Sequence, residues 1–143
     1  MKLNTFFTST ILAISLILSN PVHADGWIES PEAGSPEATV QKALTAAINH
    51  DFDAYLAVVH SEHKVTPSQI QSRRNYEWTR FEQQAQWYVR DEPGAIYLIA
   101  RVVNESSDSI RLYLTDLVHE GRMPTPVWMK KDGGSWGIVV NSL

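Results

Sequence analysis

The period of the apolar residues changes once along this chain, close to residue 87. Before that point apolar side chains recur every three or four positions, which is the one-face pattern of an amphipathic helix. After it they alternate with polar ones, which is typical of half-buried strands. Helices first and strands afterwards predict an α+β domain, with the helices over one face of an antiparallel meander.

Three helices are predicted from their capping residues. The first begins at Ser35-Pro36-Glu37, where serine caps, proline suits the first turn and glutamate complements the helix dipole. The second begins at Asp51. The third begins at Thr66-Pro67-Ser68-Gln69, which reads as a capping box, and gives way to strand between Gln84 and Trp87.

Five strands are predicted beyond that point, over residues 87–90, 95–104, 109–119, 127–131 and 135–141. Turn-forming residues separate them at 92–94, 105–108, 121–124 and 132–134. No strand alternates with a helix, so a parallel sheet is not expected.

The first 24 residues have the three parts of a secretory signal: Lys2, an apolar run over 6–18, and the small-residue ending Val22-His23-Ala24. The run contains several Ser and Thr residues and is shorter than the roughly 20 apolar residues of a membrane span. Cleavage is therefore expected between Ala24 and Asp25. It leaves a flexible leader over 25–34 and a domain over 35–143, periplasmic or secreted and without a membrane anchor.

Cysteine is absent, which excludes disulfides and a lipid-bearing thiol, so stability must come from a hydrophobic core. The chain has 12 basic and 16 acidic residues. Removal of Lys2 with the signal leaves 11 against 16, or −5. That balance argues against nucleic acid or anionic lipid as a partner.

Several short motifs resemble the NTF2-like superfamily, in the style of its small exported members of unknown function. They are the Ser35-Pro36-Glu37 helix start, the helix junction over 49–56 and the chain ending over 127–140. The resemblance implies a cone, in which a strongly bent antiparallel sheet wraps around three helices, and a homodimer formed through the sheet. No catalytic dyad of the family's isomerases or dehydratases aligns with this chain.

Asp116 is the sharpest candidate for chemistry. Strict alternation in the third strand places Ile110, Leu112, Leu114, Asp116 and Val118 on one face. A carboxylate among aliphatic neighbours is expected to have a raised pKa and to act as a base or grip a ligand. The alternative is a bulge that turns Asp116 outward.

The histidines predict no metal site. His60 and His63 are three apart at a helix end, and His50 lies at the preceding junction, but zinc needs three or four converging ligands. Solvated polar residues closing a helix are the favoured interpretation. His119 and Glu120 are adjacent on a predicted strand and point to opposite faces. No metal or cofactor is expected.

Aromatic residues are plentiful and suit either the wall of a small-molecule site or a disulfide-free core. On the first interpretation the ligand is bound by Tyr55, Trp78, Tyr97 and Asp116. On the second, the aromatic residues fill the interior; they are Trp78, Phe81, Trp87, Tyr88, Tyr97, Tyr113, Trp128 and Trp136.

Three arginines, Arg73, Arg74 and Arg80, also lie near aromatic residues in the sequence. Helical periodicity places them on different sides of the helix, so no nucleic-acid surface is expected.

Three hypotheses about function remain open. The first is an exported non-enzymatic domain that binds a small ligand in its cone or a protein partner on its sheet. The second is an enzyme of the isomerase, dehydratase or hydrolase kind with Asp116 as general base and a cone tyrosine beside it. The third is an immunity or envelope-assembly factor that acts on another exported protein.

Overall fold

The computed structural model describes residues 26–90, 96–103 and 108–143 of the chain, and only the backbone of 96–103. The predicted signal peptide and cleavage site, the turn predicted over 92–94 and residues 105–107 of the next predicted turn lie outside these residues. The described part is an α+β domain with an antiparallel sheet, as predicted.

The first two helices begin where their caps predict. Helix α1 (Pro36–Ile48) has Ser35 at its N-cap, and the Ser35 hydroxyl accepts a hydrogen bond from the Ala38 amide at 3.1 Å. Helix α2 (Phe52–Ala57) is capped by Asp51, whose carboxylate accepts from the Ala54 amide at 2.9 Å. Both caps satisfy amide groups that have no partner within the helix.

The third predicted helix is present but not uniform. It consists of α3 (Pro67–Ser72), a π-helical turn (Arg73–Trp78) and α4 (Thr79–Gln84). The predicted capping box of Thr66 and Gln69 is formed. We call residues 67–84 the long helix. Its π-helical turn was not predicted, because apolar spacing was interpreted with the ordinary α-helical period.

The sheet is a five-stranded antiparallel meander in the order β1-β2-β3-β4-β5. Its strands are β1 (Gly26–Ile28), β2 (Ile96–Val103), β3 (Ser109–Leu114), β4 (Thr125–Asp132) and β5 (Ser135–Asn141). The last four fall within or close to predicted strands. The β4–β5 hairpin turns at Gly133, whose φ of 65° is in the left-handed region that glycine adopts without strain.

Three predicted details differ from the structure. Residues 26–28, predicted to belong to a flexible leader, form β1 against β2, and Ile28 packs on the core. In place of the strand predicted over 87–90, a 3₁₀ turn (Ala85–Trp87) extends to residue 87, and Tyr88 is buried without joining a named strand. Strand β3 ends at Leu114, because the Asp116 side chain binds the amides of Val118 and His119 in a local turn.

The helices and the sheet form two layers around one core. The inner face of the sheet contributes Ile110, Leu112 and Leu114 from β3, all fully buried. Helix α1 contacts β3 and β5. The helical layer adds apolar side chains that are also buried: Val40, Ala43, Leu44, Ala47, Phe52, Tyr55, Trp78 and Phe81.

The outer edge of β5 is held by the segment after α2. The His60 amide donates to the Ile138 carbonyl at 2.9 Å, and the Ile138 amide donates to the Val58 carbonyl at 2.9 Å. Gly137 allows this approach, since a Cβ atom there would lie 2.5 Å from the His60 Cα. In the part of the chain that the structure describes, no helix is long and apolar enough to cross a membrane.

Candidate functional site

The outer face of the sheet carries large side chains that the helices do not cover. We define this outer face by Trp27, Arg111, Tyr113, Trp128 and Val140. Trp27 and Trp128 are each 40% exposed and Val140 is 42% exposed. An antiparallel sheet with one solvated face ordinarily alternates apolar-in and polar-out. Here three of the outward positions, Tyr113, Trp128 and Val140, carry aromatic or aliphatic side chains.

Strand register brings the outer face together. Arg111 pairs with Trp128 across β3 and β4, and Trp128 pairs with Val140 across β4 and β5. Paired residues in neighbouring strands lie on the same face. These three side chains therefore form a continuous row, and Tyr113 with its partner Pro126 forms the next row.

Two arginines stack on the exposed tryptophans. The Arg111 guanidinium carbon lies 3.7 Å from the centre of the Trp128 ring, and that of Arg90 lies 3.8 Å from the centre of the Trp27 ring. Each contact is a cation–π interaction, worth roughly 0.5–1 kcal/mol at an exposed site. The stacking places both guanidinium groups against the rings of exposed tryptophans.

Two of the four residues predicted to bind a ligand, Tyr55 and Trp78, lie together in the core. Their ring centres are 5.3 Å apart, and Tyr55 is fully buried. The Tyr55 hydroxyl donates to the Glu77 carboxylate and accepts from the Asn141 side-chain amide at 3.4 Å. Burial, together with the Glu77 charge, raises the pKa of Tyr55 above its ordinary range. Tyr55 thus acts as a buried hydrogen-bond donor in the packed interior.

The Tyr55 network continues to the end of the sheet. Glu77 also accepts from Arg73, whose second amino group donates to the Val139 carbonyl at 3.0 Å. Arg80, two residues past the end of the π-helical turn, donates to the Asn141 carbonyl at 2.9 Å. These polar contacts tie the long helix to β5, and they satisfy a charged pair that would otherwise be costly in a core.

Asp116, the predicted base, is buried as the alternation in the sequence indicated. Its side chain is 0% exposed and accepts hydrogen bonds from four donors. One oxygen accepts from the amides of Val118 and His119, both at 2.9 Å. The other accepts from the His119 Nδ1 at 2.8 Å and from Arg122 at 3.3 Å. The carboxylate therefore organises the loop between β3 and β4.

The expected rise in the Asp116 pKa is wrong in direction. Burial by itself raises the pKa, but the hydrogen bonds from the His119 and Val118 amides and from the His119 ring outweigh it and hold the pKa below its usual value. A carboxylate of low pKa whose oxygens are both engaged is a weak proton acceptor. In the sequence, His119 was considered only as a partner of Glu120, and that pair was rejected. In the structure His119 pairs with Asp116 instead.

Replacing Asp116 by asparagine should lower the free energy of unfolding at pH 7 by about 1–3 kcal/mol, because charge-assisted bonds to His119 and Arg122 are weakened. The depressed pKa means that this stabilisation is present above the unfolded pKa of about 3.9 and is lost as pH falls through the folded pKa. Urea unfolding from pH 7 down to pH 2 measures it.

The matched control for this prediction is Asp53→Asn, because the Asp53 side chain is 90% exposed. Its effect should stay within about 0.5 kcal/mol at every pH. A difference between wild type and Asp116→Asn that stays constant down to pH 2 would contradict the assigned pKa.

The fourth predicted ligand residue, Tyr97, pairs with Trp27 across β1 and β2. The structure describes only the backbone of β2. Four surface pockets of about 370 to 610 Å³ are lined by residues other than Tyr55, Trp78 and Asp116. Tyr55 and Trp78 thus lie together in the core, whereas Asp116 lies in the loop after β3, and a ligand site formed by the four residues stays a prediction.

His60 and His63 were considered as metal ligands in the sequence, where no metal site was predicted. Their ring centres are 6.1 Å apart. Both ring nitrogens of His60 are engaged, one with the Glu62 amide at 3.3 Å and the other with the Lys131 carbonyl at 3.2 Å. His50 instead bonds to Glu82 at 2.9 Å. Over residues 26–90 and 108–143, no three His, Asp or Glu side chains are grouped to hold a metal.

Sequence reasoning named Trp128 and Tyr113 only among the aromatics of a wall or core, and it did not single out Arg111. The alternation itself could have identified them, since Arg111 and Tyr113 fall between the buried Ile110, Leu112 and Leu114.

Comparison of the chain with protein-family models, with curated proteins and with solved structures gives no match.

Proposed function

We propose that this chain is an exported, non-catalytic domain that binds a protein partner through the outer face of its sheet. The observation that carries the proposal is the row Arg111, Trp128 and Val140, which is continuous across three strands and in which Trp128 and Val140 are exposed. Exposed apolar patches of this kind mark interaction sites on soluble proteins.

The composition of the outer face supports a protein as the occupant. Tryptophan, tyrosine and arginine are the residues that most often dominate the binding energy of protein interfaces. They combine a large contact area with a hydrogen-bonding group, and the cores of interfaces are enriched in them. Trp27, Trp128, Tyr113 and Arg111 provide all three types on one surface.

The interior favours a partner over a small ligand held in a cone. Phe52, Tyr55, Trp78 and Phe81 contact one another, with ring centres 5.3 to 6.4 Å apart. Such distances are those of packed aromatic pairs. On this proposal the aromatic residues are core, and the enzyme hypothesis loses its base because the Asp116 carboxylate is engaged by four donors.

The NTF2-like relation and export belong to the same proposal. Helices that precede the antiparallel strands β2 to β5 support the relation at the level of element order, although β1 comes before the helices; a strongly bent sheet closing a cone remains a prediction. Cleavage before Asp25 would keep β1, which begins at Gly26, in the mature chain. N-terminal sequencing of protein from the native host tests the cleavage, and an intact residue 1 would contradict it.

The test of partner binding uses the mature protein as bait in the native compartment. Wild type and Tyr76→Ala should recover the same stoichiometric partner, whereas Trp128→Ala should lose it, since truncating an interface tryptophan costs about 2–4 kcal/mol. Tyr76 is the control because it is an exposed aromatic residue of the helical layer.

Thermal unfolding should confirm that both variants fold. Recovery of the partner by all three baits would place the interaction elsewhere. Failure of wild type to recover any stoichiometric partner would count against the proposal itself.

A further inference from the structure

The largest of the four surface pockets described above lies on the helical layer and is lined by residues of both α1 and α2. Its volume is about 610 Å³, and Ser135 and Trp136 at the beginning of β5 complete its wall. We call this pocket the α1–α2 groove. Pockets of about 300–1,000 Å³ are typical of small-molecule sites. The groove is lined by residues other than those that define the outer face, so it is a separate surface of the protein.

Much of the wall of the α1–α2 groove is apolar. Two outward positions of α2 in this wall, Ala54 and Ala57, are exposed, whereas Phe52 and Tyr55 of the same helix are buried in the core. A helix that packs one face on a core ordinarily carries polar residues on the other face. The groove therefore offers apolar surface that the core does not use. Its apolar lining residues are Ala38, Ala46, Ala54, Ala57, Val58 and Trp136.

The two charged residues described in the lining, Lys42 and Asp51, differ in what they already bind. Asp51 is the N-cap of α2, and its carboxylate accepts a hydrogen bond from the Ala54 amide at 2.9 Å. Lys42 is exposed and makes no hydrogen bond or ion pair with any residue that the structure describes. An ammonium group has three donors and no acceptor. The charge of the groove that is still available to a ligand is therefore positive.

We propose that the α1–α2 groove binds a small amphipathic carboxylate, whose apolar chain lies against Ala54 and Trp136 and whose carboxylate accepts from the Lys42 ammonium. A cationic ligand would meet a like charge at Lys42, and a neutral apolar ligand would leave that ammonium without an acceptor. A small molecule suits the groove better than a protein, because fourteen residues line it and each side of a protein interface usually engages about 20–30.

The test measures decanoate binding to the mature protein at pH 7 by isothermal titration. Wild type should bind one equivalent saturably, below the concentration at which decanoate forms micelles. Lys42→Gln should weaken binding about three- to tenfold, because it removes one exposed charge-assisted contact. The control Lys130→Gln, an exposed lysine of β4, should change the affinity less than about twofold. Decanol, which has the same chain without the charge, should bind wild type as weakly as decanoate binds Lys42→Gln.

A second variant tests the apolar wall. Ala54→Phe places a ring in the groove from an exposed position of α2, and it should weaken decanoate binding at least about tenfold, because the ring occupies the space of the chain. Circular dichroism checks that this variant folds, and the comparison of Lys42→Gln with Lys130→Gln decides the matter if it does not. Amide spectra of labelled wild type should show shifts in α1 and α2 and at the Trp136 indole on addition of decanoate.

The contrary outcomes are distinct from failure of the proposed function. Absence of saturable binding would overturn the inference, and so would binding that Ala54→Phe leaves intact. Equal losses on Lys42→Gln and Lys130→Gln, or equal affinities for decanol and decanoate, would remove the role of Lys42 and overturn the carboxylate as ligand. Trp128→Ala, which should abolish recovery of the protein partner, should leave decanoate binding unchanged, so that each site is tested without the other.

Discussion

Replacing Arg73 by methionine should destabilise the domain by about 3–5 kcal/mol, a large part of the 5–15 kcal/mol that holds such a domain folded. The Arg73 side chain is 10% exposed and that of its partner Glu77 is 17% exposed. Without the guanidinium, the Glu77 carboxylate keeps Tyr55 as its donor, but its charge is left in a largely buried position without a counter-ion. The Val139 carbonyl also loses its donor from the long helix.

The neighbouring residue provides the control. Arg74 lies in the same π-helical turn, but its side chain is 52% exposed and its nearest carboxylate oxygen, on Asp53, is 3.8 Å away. Arg74→Met should cost less than about 1 kcal/mol, because exposed ion pairs contribute little and the stacking on Phe52 is a single cation–π contact. Urea unfolding followed by tryptophan fluorescence compares the two. Equal losses would mean that burial of the Arg73–Glu77 pair carries no special cost.

The starts of the helices could be predicted from sequence because caps obey local rules. Ser35, Asp51 and Thr66 each accept a hydrogen bond from the amide three residues onward, so the residue types alone identify the position. The last hairpin was equally local, since its turn needs a glycine at positive φ. In both cases everything that decides the geometry lies within about four residues.

The π-helical turn could not be predicted because the period was assumed rather than observed. On an unbroken α-helix, Arg74 falls on the apolar stripe, and the sequence offered no reason to change the period. In the structure, the turn over Arg73–Trp78 accompanies hydrogen bonds from Arg73 and Arg80 to carbonyls of β5, about 60 residues further along the chain. Contacts at that separation are not visible in a local pattern.

For Asp116, burial could be predicted from the sequence, whereas the direction of its pKa could not. Alternation placed its carboxylate toward the buried side correctly, because that depends only on the strand that precedes it. The direction of its pKa depends on donors supplied by the following loop, and alternation says nothing about a loop. The predicted strand ran through residue 119, which concealed the turn in which His119 reaches back to Asp116.

The outer face shows a limit of another kind. Alternation in β3 separates Arg111 from its buried neighbours, but the row that includes Trp128 and Val140 exists only through the pairing register of three strands. A shift of one residue in that register would move the side chains to the other face. The sequence alone therefore could not distinguish the aromatic residues of the core from those of the outer face.

Replacing Phe81 by alanine should destabilise the domain by about 3–5 kcal/mol, through lost burial and the cavity left behind. The Phe81 ring is fully buried, with its centre 5.3 Å from that of Tyr55 and 6.3 Å from that of Trp78. Tyr76→Ala on the same long helix removes an aromatic ring that is 78% exposed, and it should change stability by less than about 0.5 kcal/mol. Thermal unfolding of the two variants measures the contrast.

The Phe81→Ala cavity also distinguishes a filled core from a ligand site. An apolar cavity of this origin stays dry and binds benzene, so saturating benzene should raise the Tm of Phe81→Ala and leave that of wild type unchanged. A wild-type protein stabilised by benzene would instead mean that space already exists beside Tyr55 and Trp78, which would restore the small-ligand hypothesis. If benzene stabilises only the variant, the aromatic residues of the interior are core, and function is to be sought on the outer face.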